Sequence, residues 1–263
     1  MKIYLIDTFT NKLFQGSPAA VVVLDEWCSD SDLVNLSREN AVPESAFLVK
    51  KGADYEIRWF THKKEIRLCG HATLAAAYVV NHFMDHNCQS IVFHSLAGKI
   101  TVACKPRDIY ELCLKAFDLK QIEFSNELYE AVGAVPKSVY LGRDYLLVYE
   151  DEQTIREIRP RWNEKMDFDG KLISVTAKGT GYDCVSRTFV PHNRMAEEEA
   201  CGSAHCHIAP YWSRKIGKNE LKAYQASGRG GILYCRCENE KVLLSGACVL
   251  YMAGELSGIG GTE

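Results

Sequence analysis

Two short runs of the sequence carry the residue types that move protons. Residues 69–76 read CGHATLAA and residues 197–212 read EEEACGSAHCHIAPYW. Each places Cys-Gly just ahead of an apolar run; the first adds a histidine, and the second follows three carboxylates. The first turn of a helix presents unpaired N–H groups and about half a positive charge, and a glycine there lets a carboxylate or phosphate come close. Two such starts, on opposed domains, would make a cleft for a small anion. A thiol at such a start is open to acidification, so Cys69 and Cys201 could serve as proton donor and acceptor on either side of one carbon. That is the chemistry of a cofactor-independent racemase or epimerase. The competing arrangement does the same work with a carboxylate and a histidine.

Elements must position these groups. KIYLIDTF and PAAVVVLDEW alternate and read as strands, and SDSDLVNLSREN, with capping serines and aspartates, reads as a helix ending near Asn40. ESAFLVKKG and YEIRWFT read as a strand pair turning at Gly52, which sets Glu44 at a helix-to-strand junction. From His71 to Phe83 the chain is apolar nearly all round, the pattern of a helix buried at a domain centre. Strand patterns follow at SIVFHS, GKITVAC and YELCLKAF, a short helix at SNELYEAVGAV, and strands again at YLGRDYLLVYED, KLISVTAKG and YDCVSRTFV. ACGSAHCHIAPYWSRKIG predicts a second central helix before the closing strands.

RWF at 58–60 precedes the first Cys-Gly run and RTF at 187–189 precedes the second, about half a chain apart. The pattern reads as an internal duplication with one buried helix per copy. The expected domains are residues 1–118 and 119–263, the last strand being free to return to the first domain.

The 263-residue chain is 47% apolar and 25% charged, with a net charge of −3. It can bury a large core, and that charge gives no reason to expect nucleic acid or an anionic membrane as partner. The opening MKIYLIDTFTNKLF lacks the continuous apolar core of a signal peptide, and no apolar run reaches membrane-spanning length. A cytoplasmic protein is expected. Its eleven cysteines then read as buried fillers and free thiols rather than a disulfide framework. His205, Cys206 and His207 are consecutive, point about 100° apart on a helix and cannot all ligate one ion, so no metal site is expected there.

The runs GSPAAVVVL, SRENAVPESAFLV, RWFTHKKEIRLCGHATLAAAYVV, SRTFVP, ACGSAHCHIAPYW and SGRGGIL resemble, in order and spacing, the PhzF (phenazine biosynthesis) family across essentially the whole chain. The resemblance implies an α+β, diaminopimelate-epimerase-like fold. That fold has two similar domains, each a curved, mostly antiparallel sheet around a central helix, with the active site in the cleft between them. It implies an isomerase without metal or organic cofactor, usually a homodimer. In the best-understood activity, on trans-2,3-dihydro-3-hydroxyanthranilate, a glutamate takes a proton from one ring carbon and returns it to another. By resemblance Glu44 is that glutamate, His71 the site histidine, and Glu198 stands where the family has an aspartate. Gly70, Gly202 and Ser203, flanked by Cys69 and Cys201, would hold the substrate carboxylate.

The chain departs from the family at Ser17, where Gly-Asn-Pro is usual, and at Glu197-Glu198-Glu199, where Glu-Asp-Pro or a close relative is usual. Glutamate for aspartate moves a carboxylate by about one methylene, and a misplacement of roughly 1 Å can cost about a hundredfold in rate. The expectation is therefore the family's proton transfer on a small carboxylate-bearing substrate. A two-thiol epimerase and a non-catalytic small-molecule binding protein are the alternatives.

Overall fold

A computed structural model describes residues 1–123, 125–161, 168, 171–191 and 196–257. The fold is mixed α+β, and the chain divides into two compact units, Met1–Cys113 with Ser245–Glu263, and Leu114–Leu244. The change of unit falls at Cys113–Leu114, and the chain crosses back at Leu244–Ser245 inside its last strand.

The first unit runs β1 (Lys2–Thr8), β2 (Ser17–Leu24), α1 (Asp30–Glu39), β3 (Glu44–Lys51), β4 (Asp54–Phe60), β5 (Glu65–Ile66), α2 (Gly70–Phe83), β6 (Ser90–Ser95), β7 (Gly98–Lys105) and β8 (Ile109–Lys115). Antiparallel pairs alternate with two parallel ones: β2 runs parallel to β3, with Val22 opposite Phe47, and β4 parallel to β6, with Tyr55 opposite Phe93. The end of the chain returns antiparallel to β1, setting Asp7 opposite Val249, and also pairs with β8, so the sheet closes on itself.

Around β2 and β3 both faces of this sheet are covered, which is why those strands read as nearly continuous apolar runs. One face packs on α2, buried from His71 to Val80 as its all-round apolar sequence requires. The other packs on α1, where Leu33 and Leu36 meet Val22, Leu24, Phe47, Val49 and Phe60. Helix α1 begins at Ser29, whose hydroxyl accepts the Asp32 N–H, and ends with Asn40 as its C-cap. Glu44 follows four residues later, at the first position of β3.

The second unit runs β9 (Lys120–Ile122), α3 (Asn126–Val132), β10 (Ser138–Leu141), β11 (Tyr145–Val148), α4 (Glu152–Glu157), β12 (Ile173–Lys178), β13 (Cys184–Val190), β14 (Ala196–Glu198), α5 (Gly202–Ile216), β15 (Glu220–Gln225), β16 (Gly231–Glu238) and β17 (Lys241–Glu255), the strand that crosses back. Its sheet also carries two parallel pairs, β11 with β12 and β13 with β15. α5 packs on β15 and β16. A separate core forms where α3 and α4 bring Leu128, Val132 and Ile155 against Val139, Leu147, Val175 and Val185.

Several elements depart from the sequence reading, which has no counterpart for the short strands β5, β9 and β14. Residues 140–151 are not one strand: Gly142, Arg143 and Asp144 turn the chain between β10 and β11. α4, too short to show a helical period, went unread. Among the described residues no helix is long and apolar enough to cross a membrane. All eleven cysteines are free thiols.

Candidate active site

In the first unit, four of the predicted residues converge: Glu44, Cys69, Gly70 and His71. Cys69 is the N-cap of α2, in extended conformation and with no side-chain capping bond. Gly70 opens the helix, and a Cβ placed there would meet nothing within 4 Å. The glycine is therefore not dictated by packing, and it leaves the first-turn N–H groups approachable. His71 is buried, with its Nδ1 3.5 Å from Cys69 Sγ. Thr73 tightens the same turn, its hydroxyl and its N–H both donating to the Cys69 carbonyl at 2.6 and 3.0 Å.

Glu44 reaches this helix start from β3. Its Oε2 lies 3.3 Å from His71 Nε2, buried and without a hydrogen bond of good geometry among the described residues. Burial pushes the Glu44 carboxyl up to about 7, against a smaller opposing pull from the charge of His62. A carboxyl poised there is populated as both acid and base near neutrality, as a group that takes and returns a proton must be. Glu44, Cys69 and His71 also offer a carboxylate oxygen, a sulfur and an imidazole nitrogen within 4.8 Å of one another, a set that could hold a metal ion.

In the second unit, Cys201 is the N-cap of α5, and Gly202 and Ser203 open the helix. Ser203 Oγ lies 3.4 Å from Cys201 Sγ. The acidified thiol expected at this position is not found: burial pushes Cys201 up to about 12, and the Glu198 carboxylate adds to the rise. The three carboxylates of the acidic run have separate surroundings. Glu197 grips Arg187 through two bonds of 2.7 and 2.8 Å, and Glu199 accepts the Arg229 N–H at 3.0 Å. Glu198 is the one whose charge reaches Cys201.

The histidines of SAHCHI do not gather around an ion. His205 Nδ1 lies 2.8 Å from the Cys201 carbonyl oxygen, while the His207 ring stacks on Phe117 with centroids 4.9 Å apart.

The structure adds Arg143, which sequence reasoning missed. Its guanidinium donates to Ser203 Oγ at 3.0 Å and, through Nε, to Asp144 Oδ2 at 2.7 Å. Buried Asp144 is itself fixed, accepting the Leu172 N–H at 3.1 Å. The guanidinium lies over the Phe117 ring, 4.8 Å from its centroid.

Phe117 owes its place to a proline. Pro210, inside α5, has no N–H for the Cys206 carbonyl four residues back, and that carbonyl accepts the Phe117 N–H at 3.0 Å instead. Gly142 lets the turn carrying Arg143 lie close, since a Cβ there would fall 2.5 Å from the Asp118 carbonyl oxygen and 3.0 Å from the His207 ring. The result is a cation held beside a helix start that has no acidic residue in its first turn, an arrangement suited to a carboxylate. The Gly-Arg-Asp turn and the proline were the available signals in the sequence.

Comparison with known proteins gives the family and the fold. The family model for phenazine biosynthesis-like proteins, PhzC-PhzF, matches residues 6–254. An uncharacterized isomerase of Pseudomonas aeruginosa is 37% identical over 97% of this chain and 98% of its own. An uncharacterized isomerase of Halalkalibacterium halodurans is 38% identical over 97% of each chain. Among solved structures, a putative phenazine biosynthesis PhzC/PhzF protein of Clostridium difficile superposes with a TM-score of 0.93 at 40% identity, covering 98% of this chain and 99% of that one. A hydroxyproline epimerase of Agrobacterium vitis shares the fold alone, with a TM-score of 0.60 at 10% identity over 97% of this chain and 90% of that one.

Proposed function

The chain belongs to the phenazine biosynthesis-like PhzF family and is an isomerase by the names of its relatives, and on that footing we propose that it moves a proton within a small carboxylate-bearing substrate, with Glu44 as both acid and base. The observation that carries this reading is the Glu44 carboxylate beside His71 at the open start of α2. In the ionised form Glu44 removes a proton from a carbon activated by the substrate's unsaturation, and the resulting carboxylic acid delivers it to another carbon. His71 positions the carboxylate and a polar group of the substrate. Gly70 leaves room for that group at the helix N–H donors.

We assign the substrate carboxylate to the α5 start, with Gly202 and Ser203 N–H groups and the Arg143 guanidinium as donors, and Glu198 to a second polar group. Cys69 and Cys201 shape the two helix starts. The side chains named supply all of this chemistry, and the assembly we propose is the homodimer usual for the family.

A two-thiol epimerase requires a thiol that ionises readily, and the rise of Cys201 to about 12 works against it. Proton exchange in deuterated water separates the readings. It is followed by mass spectrometry and NMR over cyclic diene carboxylates and free amino acids, with wild type, Glu44→Gln and Cys69→Ser/Cys201→Ser. Exchange on a diene acid that disappears in Glu44→Gln supports the reading. Exchange that survives this substitution ends it, and exchange at an amino-acid α-carbon lost only in the double cysteine variant replaces it with the epimerase.

A further inference from the structure

The three side chains at the start of α2 have a second capacity. Glu44 Oε2 lies 3.3 Å from His71 Nε2, and Cys69 Sγ lies 3.9 Å from the same nitrogen. All three ligand atoms fall within 4.8 Å of one another. Around a tetrahedral zinc ion, with bonds of about 2.0 Å to oxygen and nitrogen and about 2.3 Å to sulfur, the oxygen–nitrogen edge is about 3.3 Å and the nitrogen–sulfur edge about 3.5 Å. Both observed edges lie within a few tenths of an ångström of these values, and the third edge, from Glu44 oxygen to Cys69 sulfur, lies within 4.8 Å and shortens when the ion binds.

The donor set selects the ion. Thiolate with imidazole and a single carboxylate is a borderline-soft combination that favours zinc over magnesium or calcium. Cys69 and His71 are buried, so the site is shielded from bulk water, and three protein ligands leave a fourth position open.

We propose that Glu44, Cys69 and His71 form a binding site for a zinc-class divalent cation, and that the ion reversibly inhibits the isomerase by occupying the Glu44 carboxylate. The inhibition rests on the proton-transfer role given to Glu44; the binding does not. On binding, the Cys69 thiol releases its proton to solvent and Glu44 binds as carboxylate. A carboxylate whose lone pair is committed to the cation no longer accepts a proton from carbon.

The test is a Co²⁺ titration of the full-length protein without substrate, followed by Zn²⁺ competition. Thiolate ligation gives a near-ultraviolet sulfur-to-cobalt band, and a tetrahedral site gives strong visible absorption. One ion per chain is expected, with the near-ultraviolet band lost in Cys69→Ser and affinity weakened at least about tenfold in His71→Asn and Glu44→Gln. Far-ultraviolet circular dichroism confirms that each variant is folded. Should Cys69→Ser not fold, ¹¹³Cd NMR of the wild type reports whether one sulfur ligates. A band retained in Cys69→Ser, a cadmium shift without sulfur, or affinities equal across the variants overturns the site. Zinc bound without loss of turnover overturns the inhibition. Turnover that survives Glu44→Gln ends the catalytic reading and leaves the binding result standing, so the two failures are distinguishable.

Discussion

The carboxylate of Glu44 and the imidazole of His71 meet at 3.3 Å although one opens a strand and the other sits in the first turn of a helix. Burial of that carboxylate brings its ionisation to about 7, against a smaller opposing pull from the charge of His62. A base with that value loses activity as pH falls through about 7. We expect kcat/KM on the substrate found by proton exchange to show a lower limb with an apparent pKa near 7. Glu44→Gln should reduce turnover by about 10²- to 10⁴-fold and abolish that limb. A wild-type profile flat from pH 5 to 8 would remove Glu44 from the base role.

The same shift predicts a stability effect with a definite sign. In the unfolded chain Glu44 ionises near 4.5, and in the folded chain near 7, so between those values the folded state holds more protons and stability falls as pH rises. Below about 4.5 the group is protonated in both states and contributes nothing; above about 7 the full cost is present, on the order of 3 kcal/mol. Glu44→Gln should therefore match wild type in acid and be more stable at neutral and alkaline pH, by several degrees in Tm. Thermal unfolding at pH 4.5 and pH 8 measures it, and a variant less stable than wild type at pH 8 contradicts a carboxylate whose burial costs more than its neighbours return.

How much of this was legible in the sequence follows from what each residue depends on. Central helices α2 and α5 are buried nearly all round, so their apolar runs announced them, and Cys-Gly marked both starts. The R-x-F pairs proved to be matching devices. Arg58 binds Glu65 at 2.8 and 2.7 Å and lies over Phe60, as Arg187 binds Glu197 and lies over Phe189. The Gly-Arg-Asp turn marked the place of Arg143 but not its role, which comes from contacts with Ser203, Phe117 and Asp144, of which only Asp144 is near in sequence. Nor was the Cys201 ionisation legible, since burial overrides the helix start that was expected to acidify it.

Arg143 yields a prediction that separates binding from chemistry. A guanidinium that holds the substrate carboxylate equally in ground and transition states sets KM rather than kcat. Arg143→Ala should raise KM by about 10- to 100-fold, the loss of a charge-assisted hydrogen bond of about 1.5–3 kcal/mol, with kcat changed much less. Arg143→Lys should not restore it, because an ammonium cannot reproduce the planar fork that meets Asp144 and Ser203 together. Steady-state kinetics of both variants decide it: an unchanged KM removes Arg143 from the carboxylate site.

Arg187 is a different kind of arginine, and its removal should show in folding. It is buried, bound to Glu197 at 2.7 and 2.8 Å, and it donates to the Ile155 and Ile158 carbonyls at 3.2 and 2.7 Å, tying β13 to β14 and to the end of α4. Arg187→Met deletes four donated bonds and leaves Glu197 without its counter-ion, a change that typically costs about 3–5 kcal/mol. Arg187→Met/Glu197→Leu removes both charges and should recover most of that loss, since desolvation of the pair offsets much of its attraction. Because β14 leads directly into the α5 start, the single variant should also weaken substrate binding, while the double variant restores stability and binding together. Urea unfolding of wild type and the two variants measures this. A single variant as stable as wild type, or a double variant no better than the single, would show that the pair does not hold β14 in place.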